Sequence, residues 1–205
     1  MGYKTINIKP QETKESLASE LARALGDELG WTVSENEVIS ESGMRFIFNV
    51  AASISCAVGN GIATASCAAS GSFSTSENWI IDVVTSAATT AIGVRSASTA
   101  AAKIGAIIAR NTSGGFAGII TSTNTPTIIK PSWSTNKTVN VPSNTAEGMA
   151  TSLVLYPDVY GGCMFEDLYM VYSCPLNTTD KVIHIDGKNF RYIGVSGSYG
   201  FALAV

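Results

Sequence analysis

Charge is what this sequence has least of. Only 14% of its 205 residues are Asp, Glu, Lys or Arg, against about 25% in an ordinary soluble domain. The deficit is uneven. Residues 1–45 hold 13 of the 29 charged side chains and residues 46–146 hold seven: Glu77, Asp82, Arg95, Lys103, Arg110, Lys130 and Lys137. A net charge of −3 and a pI near 5.1 give no electrostatic reason to bind nucleic acid or anionic lipid. A single histidine, His184, excludes most His-based zinc sites. The longest apolar stretches, 46–58 and 100–109, fall short of the ~20 residues a membrane helix needs, and Asn49, Ser53, Ser55 and Lys103 interrupt them. Residues 1–16 are polar, with no apolar signal-peptide core, so no secretory leader is expected.

The cysteines, Cys56, Cys67, Cys163 and Cys174, form no C-x-x-C pair, which argues against zinc ribbons and thioredoxin-like redox chemistry. Two disulfides or four apolar thiols remain, and the lack of a leader favours thiols.

Enzyme motifs fail on inspection. Gly194–Ser198 lacks the last glycine of a G-x-S-x-G elbow. Ser134 and Lys137 fit S-x-x-K, but lie between Pro131 and Pro142, where a helix is not expected. His184 and Asp186 share one side of a predicted strand and could orient a base, yet no spacing supplies a nucleophile. The adjacent Glu166 and Asp167 face opposite ways on a strand, unlike the facing carboxylates of a glycosidase. No catalytic residue, cofactor site or metal site is expected.

What is present is apolar patterning with small polar residues between. Tyr3, Ile6 and Ile8 mark a short strand before Pro10. Leu17, Leu21, Leu25 and Leu29 recur every four residues, the stripe of an amphipathic helix over 14–29, with Thr13 as N-cap and Gly26 and Gly30 as stop signals. Trp31 should pack under the helix end. Beyond it, β-signals dominate. Strands are expected at 32–39 paired with 44–50, at 78–84 with Trp79 at its start, and at 103–110 paired with 116–122; an Ala-rich helix over 98–110 is the alternative to the third. Pro126, Pro131 and Pro142 make 123–149 a long loop or a set of edge segments. Further strands are expected at 151–155, 168–174, 181–185, 189–195 and 201–205, with Asp186-Gly187 as a turn. The fold class is therefore mainly β: an antiparallel β-sandwich with one N-terminal amphipathic α-helix. Residues 1–31 form the strand-and-helix unit, and 32–205 the sandwich region, with a subdivision possible at 123–149.

The helix running into Leu29-Gly30-Trp31, the hairpin from Ile107-Ile108-Ala109-Arg110 through Gly114-Gly115-Phe116 to Ile119-Ile120, and the closing segments Ile185–Tyr192 and Phe201–Val205 together resemble small virion structural proteins of tailed bacteriophages, of the neck, tail or baseplate type. The resemblance is diffuse and carries over no catalytic residue. It implies a non-enzymatic subunit in a virion, made in the host cytoplasm, whose partners are copies of itself and other virion proteins. Low charge fits that expectation independently, because obligate interfaces are depleted in charge. The candidate assembly surface is the Leu17, Leu21 and Leu25 stripe, docking on the chain's own sandwich or on a neighbour, together with Trp79 and Trp133. The alternative is a surface carbohydrate-binding module using the same tryptophans, so carbohydrate is a possible partner; nucleic acid and membrane are not.

Overall fold

A computed structural model describes residues 2–49, 53–58, 61–66, 74–97, 105–112, 116–121, 126–129, 137–140, 152–155, 167–172, 182–185, 188–196 and 199–205. The fold is mainly β, and every strand pair is antiparallel. One helix is present among the described residues.

The chain opens with β1 (Gly2–Ile8) and α1 (Lys14–Leu29). Thr13 caps the helix: its hydroxyl accepts from the Ser16 amide at 3.0 Å, while the Ser16 hydroxyl accepts from the Thr13 amide at 3.1 Å. Two otherwise orphan donors of the first turn are thereby satisfied. Gly30 ends the helix with φ +71°, in the left-handed region that suits glycine, and its amide donates to Gly26 O at 2.8 Å. Gly26 is not a stop signal; it lies inside the helix, against the Val33 side chain.

Five strands follow as a meander: β2 (Thr32–Ser34), β3 (Glu37–Ile39), β4 (Arg45–Phe48), β5 (Ser53–Val58) and β6 (Gly61–Ser66). The single strand expected over 32–39 is in fact a hairpin. Glu35 takes φ +55°, and the Asn36 side chain donates to Phe48 O, so the chain reverses between Ser34 and Glu37. The pairing of 37–39 with 45–48 across the Ser40–Gly43 turn agrees with the sequence reading.

A six-stranded sheet follows, in the order β1, β7 (Trp79–Thr85), β8 (Thr89–Ser96), β9 (Gly105–Asn111), β10 (Phe116–Thr121), β11 (Pro126–Ile129). Residues 105–111 form a strand, not a helix. The third sheet has the order β12 (Lys137–Asn140), β13 (Ser152–Leu155), β14 (Leu168–Tyr172), β17 (Tyr199–Ala204), β16 (Lys188–Ser196), β15 (Val182–Ile185). Both strands within 123–149, β11 and β12, are edge strands, and Pro126 stands first in its strand, where the missing N–H costs no interior ladder bond. The terminal strand β17 lies between β14 and β16, so the apolar chain end is tied into a sheet.

The six-stranded β1–β7–β8–β9–β10–β11 sheet is the middle layer. Alternation sends Ile6, Ile8, Trp79, Ile81, Val83, Ile92, Val94, Ala106 and Ile108 to one face, where they join Leu17, Leu21, Leu25, Val38, Phe46 and Phe48 in a single core. The helix packs beside β1 and on β2–β4, while β5 and β6 lie across β9 and β10. Trp31 closes this layer by stacking on Phe46, with ring centroids 6.2 Å apart. The opposite face receives β16 and β17, where Ile193 and its cross-strand partner Phe201 are buried.

Gly93 of β8 sets the spacing on that opposite face. A Cβ there would stand 2.8 Å from Ile193 Cγ2 and 3.4 Å from Ile107 Cγ1. Gly93→Ala is therefore expected to destabilise the protein by about 1–3 kcal/mol through overpacking, read from its urea midpoint. An unchanged midpoint would show that the two sheets are not in contact at this point.

Candidate functional site

Three polar constellations stand out among the described residues. The first is inside the molecule. Asp82 sits on β7, facing away from the helix, and is fully buried. One oxygen accepts from the Tyr3 hydroxyl at 2.9 Å, with the Thr5 hydroxyl also at 2.9 Å. The other accepts from Arg95 Nε at 2.7 Å. Arg191 of β16 lies over the Tyr3 ring, 5.2 Å from its centroid. The carboxylate thus ties β1, β7 and β8 together, and Tyr3 in turn meets β16. Both oxygens are engaged by the chain's own side chains, the arrangement of a structural lock between strands.

The second constellation joins two sheets. Asp167, just before β14, accepts from Ser86 at 2.5 Å and from Thr89 at 2.8 Å, both at the β7–β8 turn. Its carbonyl accepts from the Ala204 amide at 2.8 Å.

The third is a groove of about 290 Å³ on the helix side of the middle sheet. Leu29 and Trp31 come from the helix end, Ser40, Glu41 and Ser42 from the β3–β4 turn, and Thr85, Ser86 and Thr90 from the β7–β8 end. Five hydroxyl-bearing residues and one glutamate line it together with Trp31. Ser40 and Ser42 hydrogen-bond each other at 2.9 Å, and the Ser40 hydroxyl also accepts from the Met44 amide. The Thr90 hydroxyl, on a residue only 2% exposed, has no partner among the described residues.

Among the described residues, the groups whose basicity is displaced are two surface arginines, both held more firmly protonated by carboxylates: Arg23 by Glu20 and then Asp27, Arg45 by Glu37. Neither lines the groove. No group of three or more His, Cys, Asp or Glu side chains able to hold a metal occurs among the described residues.

The residues singled out in the sequence fall as follows. Leu17, Leu21 and Leu25 are buried in the chain's own core. Of the two partners considered for the stripe, the chain's own sheets are the one these side chains pack against. Trp79 is likewise fully buried, with its indole N–H donating to Ser74 O at 2.8 Å, so it offers no surface for assembly or for a glycan. Trp133 lies outside the described residues, as do Ser134, Asp186, Cys67, Cys163, Cys174 and Glu166. Cys56 stands on β5 opposite Phe46, and His184 on the edge strand β15 opposite Asn189. The groove was missed because its walls come from four separate stretches of chain, none carrying a motif.

Compared with known proteins, the chain matches no family model, no curated protein and no solved structure.

Proposed function

We propose that this chain is a non-enzymatic structural subunit of a phage particle, of the neck, tail or baseplate type, acting by assembly with copies of itself and with other virion proteins. The observation that carries the reading is where the scarce charges go. Of the seven ionisable residues in 46–146, the side chains of four are described, and each of the four is engaged by another group of the chain. Asp82 and Arg95 pair with each other, Glu77 accepts from the Ser96 hydroxyl at 2.7 Å, and Arg110 donates to Arg45 O. A stretch whose few charges are taken up by its own groups brings little repulsion to the surface it offers to other copies. Cover by neighbouring subunits is the state such a surface suits.

Sedimentation velocity over a range of concentrations tests this. The expected result is a species heavier than 21.4 kDa that grows with concentration. A monodisperse 21.4 kDa particle at the highest concentration reached would overturn assembly. Mass spectrometry of purified virions tests the particle itself, since the chain should be found there at a fixed ratio to other virion proteins.

A further inference from the structure

We infer that the groove between the helix end and the β7–β8 turn is a binding site for one ring of a neutral sugar. The inference stands apart from the assembly reading and rests on the groove's own chemistry. Its volume, about 290 Å³, lies at the lower limit of small-molecule pockets (~300–1,000 Å³), which admits a single ring and little more. Its walls combine an aromatic body with closely spaced hydroxyls, the pairing that suits a ligand with an apolar face and polar edges. Trp31 is held in place by Phe46 stacked on it, so its position costs no ordering on binding.

Three groups in the walls still have hydrogen-bonding capacity. The Thr90 hydroxyl has no partner among the described residues and keeps both its donor and its acceptor capacity. The Trp31 indole N–H donates to no described group, and the Glu41 carboxylate, exposed at the mouth, has neither ion pair nor hydrogen bond among the described residues. Two donors and a two-oxygen acceptor match vicinal hydroxyls, each of which both donates and accepts. Glu41 is the single charged side chain in the described lining, and no cation accompanies it. Phosphate, sulfate and acidic sugars are therefore disfavoured, and a neutral sugar is selected.

The test is a titration of isotope-labelled full-length protein with free glucose, galactose, mannose and N-acetylglucosamine, followed by amide shifts. At least one should shift the amides of 31, 40–42 and 85–90 in a saturable way, and a sialic acid should not. Thr90→Val keeps shape and volume and should weaken binding about tenfold, the loss of one hydrogen bond worth about 1.4 kcal/mol. Glu41→Gln, at an exposed position, should weaken it comparably while leaving the spectrum native. No saturable shift with any of the four sugars overturns the site. So does equal binding of the sialic acid, or unaltered affinity in both variants.

Discussion

Leu21→Asp is expected to leave no folded protein. Leu21 is 1% exposed, in the middle of the helix face that meets β1, β3 and β4. Truncating such a leucine alone costs about 2–5 kcal/mol. An aspartate at the same place adds the penalty of a carboxylate with no partner in an apolar core, several kcal/mol more, or forces its protonation. Against a total stability of about 5–15 kcal/mol, the sum is decisive. Far-ultraviolet circular dichroism and a proton–nitrogen correlation spectrum would show loss of dispersed signals. Arg23→Ala, two positions along on the exposed face, removes only solvent-facing ion pairs with Glu20 and Asp27 and should leave the spectrum native and the urea midpoint nearly unchanged. A native spectrum for Leu21→Asp would mean that the helix is not part of the core.

The second large effect concerns Asp82. Asp82→Ala strips a buried arginine of its counter-charge, because Arg95 is only 13% exposed, and leaves the Tyr3 hydroxyl without its acceptor. Breaking a buried pair from one side costs about 3–5 kcal/mol. Removing both charges should cost less than the two single losses together, since no charge is then stranded. A double variant with Arg95→Met should therefore show a coupling of about 0.5–3 kcal/mol in urea denaturation. Simple additivity would show that the carboxylate and guanidinium do not interact. The unfolding slope should stay constant across the set, as it reports the surface exposed on unfolding.

These two sites also show what the sequence made legible. The helix could be placed from end to end because its signals are local: Thr13 at one end, leucines four apart, Gly30 at the other. The prolines of 123–149 pointed to sheet edges for an equally local reason, the missing N–H. Strand β8 escaped notice. It is covered on both faces, so Thr89-Thr90-Ala91-Ile92-Gly93-Val94 shows no alternation between apolar and polar. Its small residues are there because Ile193 must approach Gly93. The 32–39 hairpin escaped because its reversal rests on Glu35 in a left-handed conformation, which no Asn-Gly or Asp-Gly pair announces. Long-range constellations were the least legible. Asp82 reads as one more isolated carboxylate until β1 brings Tyr3 and Thr5 to it from the far end of the sequence.

That pairing has a consequence for how the chain is made. The strands of the other two sheets each come from one continuous stretch, 32–66 and 137–204, but β1 must wait for β7, with Gly2 facing Thr85 and Ile8 facing Trp79. During synthesis β1 leaves the ribosome well before β7 exists. Nascent chains of this protein carry β1 without its sheet partner until residue 85 has emerged, and this interval is when a holding chaperone has something to grip.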